Sequence, residues 1–243
     1  MERSRIHRSS RNPTSLRAVV TDVDGTLTGA DRRLDLRAAT VIRHLERRGI
    51  PVVLATGNVL PIALALHRSL GLSGPIVAEN GGLVYHRDGS GPERVERLAD
   101  RTMALAAFRK LEKAGLPVHR LFTDRWRESE VALEPTVSVA AVRQALRDPS
   151  IHVESTGYAL HLMERGKGKL PGLLRVLPDL GLGPGDCVIL GDGDNDVEML
   201  RAAGFGVSFP SASPRARRAA RYVTRAEFSA GFVEGLKTSG ILD

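Results

Sequence analysis

Asp22-Val23-Asp24-Gly25-Thr26 follows directly on the apolar run Ala18-Val19-Val20. A short apolar run bounded by turn residues predicts a buried parallel strand. Ligands and chemistry collect at the carboxyl ends of such strands in open α/β sheets. Residues two apart on a strand share a face, and Gly25 can take the positive φ of a sharp turn. Asp22 and Asp24 therefore crowd one small site at the mouth of the sheet. Two carboxylates that close repel unless a cation neutralises them or one keeps a proton. A hard, oxygen-preferring Mg²⁺ meets the first need, and a nucleophile beside an acid/base meets the second. Taken alone, the segment also reads as an ordinary acidic turn closing a strand. Three further stretches decide between the two.

After this strand, Leu34, Ala38, Val41, Ile42 and Leu45 recur at helical spacing, with Asp35 as N-cap and Gly49 as stop. The apolar run Ile50 to Ala55 ends in Thr56-Gly57-Asn58. A helix over Val59 to Leu70 closes at Gly71, and Ile76-Val77-Ala78 reads as a third strand. Strand, helix, strand, helix, strand is the rhythm of a parallel sheet with crossover helices.

At Glu79-Asn80-Gly81-Gly82 the rhythm changes, and these residues read as a hinge or pocket wall. Leu83 to His86 and Arg94 to Leu98 predict a hairpin around Asp88-Gly89-Ser90-Gly91. A helix over Arg101 to Ala114, strands at Val118–Phe122 and Val131–Glu134, and a helix over Val139 to Arg147 follow. Ile151–Glu154 and Tyr158–Met163 read as an antiparallel pair. The expected organisation is a polar tail over 1–15, an α/β core over 16–82 and 160–243, and an α+β insertion over 83–159. The core rhythm returns with a helix over Lys169 to Leu180 and the strand Cys187–Leu190. That strand ends in Gly191-Asp192-Gly193-Asp194-Asn195-Asp196.

A net charge of +7 raises the question of nucleic acid. Five arginines lie in the first 17 residues (3, 5, 8, 11 and 17) and a second cluster spans Arg215 to Arg225, but no aromatic residues interleave with the first and no nucleic-acid-binding motif occurs. A solvated, disordered tail is the expected reading. No apolar run reaches membrane-span length, and no apolar block follows the N-terminal arginines as in a secretory signal. The single cysteine, Cys187, permits no internal disulfide, so a cytoplasmic setting is expected. The seven histidines show no metal-ligand spacing.

Four features thus stand at strand ends or a helix start: Asp22/Asp24, Thr56-Gly57-Asn58, a lysine at Lys167 or Lys169, and Asp192/Asp196. Their logic is that of metal-assisted phosphoryl transfer. A carboxylate nucleophile and phosphate oxygens repel, so a cation must neutralise both. A hydroxyl, backbone N–H groups and a lysine can hold the remaining oxygens.

Asp-x-Asp-Gly-Thr, a strand-end Thr-Gly, a lysine and Gly-Asp-Gly-x-Asn-Asp, in that order, resemble the haloacid dehalogenase superfamily of phosphatases, with the insertion placed as in its Cof-type branch. Within it, Thr56 to Pro61, Gly74 to Gly82 and Thr123 to Glu128 resemble the archaeal phosphoglycolate phosphatases. The resemblance implies a Rossmann-like, three-layer α/β core with a small α+β cap. It implies Asp22 as nucleophile and Asp24 as acid/base. Mg²⁺ would be held by Asp22, the Asp24 carbonyl, Asp192 and Asp196. Thr56, Gly57 and Asn58 would bind phosphate with the lysine, for which Lys169 is favoured by its distance from Leu180-Gly181, and Asn195 would orient the Asp192 loop. Arg125 and Arg127 are candidates for a substrate carboxylate, with Lys167 as a core-side alternative. Trp126 reads equally as substrate-facing or as an anchor of the cap.

The expected activity is Mg²⁺-dependent hydrolysis of a small phosphate monoester, 2-phosphoglycolate first. The alternatives are a sugar phosphatase and a mannosyl-3-phosphoglycerate phosphatase. A basic, nucleic-acid-associated protein with a vestigial acidic site is the alternative of another class. A monomer or homodimer, with neither nucleic acid nor membrane as partner, is expected.

Overall fold

The computed structural model describes residues 16–87, 92–156 and 158–243. The expected tail, the tip of the first hairpin and Gly157 lie outside them. No helix among the described residues is long and apolar enough to cross a membrane.

The chain runs β1 (Ala18–Thr21), α1 (Leu36–Arg47), β2 (Val52–Ala55), α2 (Leu60–Leu70) and β3 (Ile76–Ala78) in strict alternation. Next come β4 (Leu83–His86), β5 (Arg94–Arg97), α3 (Arg101–Lys113), β6 (Val131–Leu133), α4 (Val139–Leu146), β7 (Ile151–Ser155) and β8 (Leu160–Glu164). The remainder is α5 (Lys169–Val176), β9 (Cys187–Leu190), α6 (Val197–Ala202), β10 (Phe205–Ser208), α7 (Pro214–Ala219), β11 (Tyr222–Val223) and α8 (Phe228–Ser239).

Eight strands form one sheet in the order β11-β10-β9-β1-β2-β3-β4-β5. The six from β11 to β3 are parallel. Every residue of β1, β2 and β9 is buried. Such unbroken apolar strands belong to a sheet covered by helices on both faces. Because β1 pairs β2 on one side and β9 on the other, Thr21 lies level with Leu54 and Leu190. The three loops that follow therefore leave the sheet side by side, at the point where strand order reverses.

Local signals explain the elements. Asp35 caps α1 by accepting from Arg37 N–H at 2.8 Å. Gly71 ends α2 in the left-handed conformation at φ 70°.

The β4–β5 hairpin belongs to the large sheet and not to the inserted unit, contrary to the expectation for 83–98. β4 returns antiparallel on β3, with Ile76 opposite Tyr85. The reversal is made by three consecutive residues at positive φ: Glu79 (48°), Asn80 (52°) and Gly81 (92°). Leu83, Val84 and Tyr85 are buried there. Hairpin periodicity identifies two strands but not the sheet edge they join.

The smaller sheet has the order β6-β8-β7, antiparallel throughout. It therefore includes residues 160–164, which the sequence had placed in the core. It has its own apolar centre, including Leu111 of α3, Val142 of α4, Leu133, Val153 and Leu162, as a separate unit requires. No strand forms over 118–122: Arg120 makes an isolated bridge to Leu133, and Phe122–Trp126 is a 3₁₀ turn. The buried Asp124 side chain accepts from Ala132 N–H at 2.8 Å and from the Arg101 and Arg120 guanidiniums. It thereby takes a backbone donor that a neighbouring strand would have used.

Where the chain re-enters α5 from the smaller unit, Gly81 packs against the backbone of Gly168, so close that a Cβ at Gly81 would collide with the Gly168 carbonyl. Gly81→Ala combines that clash with a left-handed φ and is expected to cost about 1–3 kcal/mol. Thermal unfolding should show a fall of at least about 2 °C; an unchanged midpoint would mean that the junction yields freely.

Candidate active site

The carboxyl end of β1 delivers Asp22, whose N–H still donates to Leu190 O at 3.0 Å and so stays in register with β9. The chain then turns at Gly25, φ 80°. No Cβ fits there, because the Asp192 carboxylate lies against it. Thr26 Oγ1 donates to Asp192 Oδ1 at 3.2 Å, tying the first acidic loop to the second.

Beyond β2, Asn58 N–H donates to Thr56 Oγ1 at 3.0 Å, folding the Thr-Gly-Asn segment on itself. Asn58 Nδ2 then donates to Asp24 Oδ2 at 2.5 Å. Beyond β9, the loop is wound around Asp196. Its Oδ2 accepts the N–H groups of Asp192 and Gly193, both at 2.9 Å, and its Oδ1 accepts from Lys169 Nζ at 2.7 Å.

Lys169, the first residue of α5, is 1 % exposed. Its ammonium lies between Asp196 and Asp22, 2.9 Å from Asp22 Oδ1. Burial alone would lower its pKa, but Asp196 and Asp22 outweigh burial and raise it, so the lysine is a fixed positive charge. One lysine does not balance the acids. Burial, reinforced by Asp196, Asp192 and Asp24, pushes Asp22 well above the usual carboxylate range despite Lys169. Burial and Asp196 push Asp192 up to about 7. Asp22, Asp192 and Asp196 can each place an oxygen within 4.8 Å of the others. Carboxylates held this close against their own repulsion fit a divalent cation.

Over these acids lies a cleft of about 230 Å³, walled on the smaller unit's side by Arg127, Tyr158 and His161. Arg127 is 5 % exposed. It donates from Nη1 to Gly57 O at 2.9 Å and to Glu130. Its Nε is buried with no partner among the described residues. Glu130 also accepts from Asn80 at 3.1 Å and pairs with His161 Nδ1 at 2.8 Å. Burial would raise Glu130, but His161 and Arg127 overcome it and hold the carboxylate below its ordinary range. Asn195 Nδ2 donates to Asn80 Oδ1 at 2.9 Å, so one buried chain of hydrogen bonds joins the cleft roof to the 192–196 loop.

A family model described as haloacid dehalogenase-like hydrolase matches residues 19–125 and 132–236. The chain belongs to that family. Among its relatives, a phosphoglycolate phosphatase of Methanothermobacter thermautotrophicus is 38% identical over 222 residues, spanning 91% of this chain and 98% of that one. One of Methanopyrus kandleri is 38% identical over 225 residues, covering 90% and 95%. Among solved structures, Thermoplasma acidophilum 0175 superposes with a TM-score of 0.84 at 25% identity, covering 94% of this chain and 100% of that chain.

In this haloacid dehalogenase-like hydrolase, Asp22, Asp24, Gly57, Asn58, Arg127, Asp192 and Asn195 all line the cleft. Thr56 and Lys169 are buried behind it. The ambiguity between the two lysines is resolved by position: Lys169 reaches the carboxylates, while Lys167 lines a different cavity. Arg125 does not enter the cleft. It is exposed and stacks over Phe122 at 4.2 Å, and Trp126 meets Phe122 edge-on. Only Trp126 separates Arg125 from Arg127, but Arg125 lies within the 3₁₀ turn and Arg127 in the extended residue that ends it, so their side chains part, which sequence spacing does not disclose. Asn195 reaches Asn80 across the site, not only its own loop.

Sequence reasoning missed Arg32, which lies 4.0 Å from Asp24 and over the Tyr158 ring at 4.7 Å. It also missed Glu130 and His161. None belongs to a motif, although Asn80, which bonds Glu130, lies in the stretch singled out as a pocket wall.

Proposed function

We propose that this chain is a Mg²⁺-dependent phosphatase hydrolysing 2-phosphoglycolate to glycolate and phosphate. The observation that carries the reading is the meeting of Asp22, Asp24, Asp192 and Lys169 at the strand-order switch point. The relatives named phosphoglycolate phosphatase support the substrate.

Asp22, the Asp24 carbonyl and Asp192 would hold the cation, which supplies positive charge against the phosphoryl oxygens. Asp196, which the resemblance implies as a further ligand and whose carboxylate can reach the same ion as Asp22 and Asp192, also accepts from Lys169 and from two backbone N–H groups and so shapes the loop that presents Asp192.

An Asp22 oxygen attacks phosphorus and the bond to the ester oxygen breaks, leaving an aspartyl phosphate. Asp24 gives its proton to the departing alkoxide. It then takes one from water, which attacks phosphorus and releases phosphate and Asp22. Asn58, bonded to Asp24, fixes the direction of that carboxyl. Gly57 N–H, Thr56 and Lys169 would hold the phosphoryl oxygens.

The carboxylate of phosphoglycolate needs a charged or donor-rich partner once desolvated. Arg127 provides one, with its buried, free Nε. Arg127→Ala is expected to raise KM for 2-phosphoglycolate about tenfold or more, as loss of a charged hydrogen bond costs about 1.5–3 kcal/mol. An uncharged aryl phosphate should respond much less, and Arg125→Ala should affect neither. Equal losses on both substrates would remove Arg127 from specificity.

The direct test is a panel of phosphate esters assayed with Mg²⁺ and with excess chelator. Turnover of 2-phosphoglycolate above sugar phosphates, silenced by chelation and restored by Mg²⁺ but little by Ca²⁺, is the expected result. Calcium's larger, looser coordination misplaces the nucleophile. Full activity in chelator would sink the mechanism.

A further inference from the structure

A second cavity, about 570 Å³, opens between the smaller unit and the large sheet's helices. Asn195 lines both it and the catalytic cleft, and Lys169 and Asn80, which serve the site, border this cavity as well. The 192–196 loop divides them: Asp192 and Gly193 face the cleft, whereas Asp194 and Val197 face the cavity.

Its walls are basic and come from both units. Arg143 on α4 and Arg165 after β8 face it from one side, Arg201 on α6 from the other, with Lys167 in the link between. Arg143 donates to Val153 O at 2.8 Å and Arg165 to Pro149 O. These carbonyls orient the guanidiniums without neutralising them. None of the four cations forms an ion pair among the described residues. Two of the three carboxylates in the walls are engaged elsewhere. Asp194 is bound by Arg215 at 3.0 Å and by Ser213 at 2.5 Å, and Glu154 is paired with His152 at 2.8 Å. Only Glu198 is left to oppose them.

Like charges in a concave wall focus their field on the space between them. Guanidinium forks match the oxygens of a phosphoryl group. We infer that this cavity is a second anion site, taking a phosphoryl dianion between Arg143 and Arg165 on one side and Arg201 on the other. A dianion there ties the smaller unit to α6, which continues directly from the loop carrying Asp192. Free phosphate and a phosphorylated metabolite share this chemistry.

Calorimetric titration of the full chain with inorganic phosphate, in excess chelator, isolates the site. Without a cation, the cleft's four aspartates outnumber Lys169 and repel phosphate. Saturable one-to-one binding is expected. Arg143→Glu and Arg201→Glu should each weaken it at least about tenfold, as the loss of a charged hydrogen bond does. Arg201 is exposed on a helix surface, so its variant keeps the fold. Turnover of an aryl phosphate by both variants, in phosphate-free Mg²⁺ buffer, should stay within about twofold of wild type, as for ordinary surface changes. Glycerol 1-phosphate in the same titration separates the sources: tighter binding than phosphate, lost in Arg201→Glu, assigns an ester, and weaker binding assigns free phosphate. No saturable binding in chelator, or unchanged affinity in both variants, overturns the site.

Discussion

Asp22→Asn is expected to lower turnover on the order of 10,000-fold or more while leaving the protein folded, because an amide forms no acyl phosphate and a lost nucleophile removes the whole covalent route. The fold should tolerate the change, since asparagine is nearly isosteric and the position does not favour charge in the absence of a cation. Burial and the neighbouring Asp196, Asp192 and Asp24 raise the Asp22 pKa even against Lys169. A raised carboxyl pKa means that this group's contribution to stability is present at low pH and lost as pH rises through the folded value. Removing the charge should therefore hold or raise the melting temperature of the metal-free protein at pH 8. Single-turnover assays and thermal unfolding at that pH check both halves. Turnover near the wild-type rate would reassign the nucleophile.

Lys169→Met should damage both stability and chemistry. Lys169 lies within 3 Å of Asp22 and Asp196 and is fully enclosed. Removing one partner of a buried ion pair costs about 3–5 kcal/mol, since the remaining charge is left uncompensated. For a chain of this size that corresponds to a fall in melting temperature of about 6–20 °C at pH 7. The loss should shrink on acidification. Without the lysine, which holds the Asp22 pKa down, that pKa rises further, so stability is regained as pH falls and the Asp22 carboxyl takes up a proton. Lys169→Arg is not a rescue, because the guanidinium is larger than the closed space between α5 and the sheet. A Lys169→Met protein with wild-type stability at pH 7 would mean that the carboxylates are neutralised by something other than the lysine. Lys167→Met, by contrast, should leave the melting temperature nearly unchanged, as its side chain makes no ion pair among the described residues.

The acidic site was legible in the chain because phosphoryl chemistry demands residue types at strand ends, and strand ends announce themselves locally. Ala18–Thr21, Val52–Ala55 and Cys187–Leu190 are short apolar runs, each closed by a polar turn. Asp22/Asp24, Thr56-Gly57 and Asp192/Asp196 occupy those turns. Parallel pairing of β1 with β2 follows from the βαβ rhythm, whereas the 192–196 loop was tied to the other two only through the resemblance to the haloacid dehalogenase superfamily.

Three matters were decided only in three dimensions. The β4–β5 hairpin carried a clear strand pattern, but its partner depended on the left-handed turn at Glu79-Asn80-Gly81, which folds it back onto β3. Distance from Leu180-Gly181 favoured Lys169 over Lys167, but the seat of its ammonium between Asp22 and Asp196 came only with the packing of α5 on the sheet. The cleft roof was the least legible. Arg127 and Glu130 are three residues apart, His161 reaches Glu130 through the pairing of β6 with β8, and Asn80 joins them only when the smaller sheet packs over the large one. Their partnership is set by burial, which removes water as an alternative and obliges each polar atom to find a protein partner. Sequence carries the pattern of burial along one element, whereas which buried polar groups meet across two elements is determined by how those elements pack.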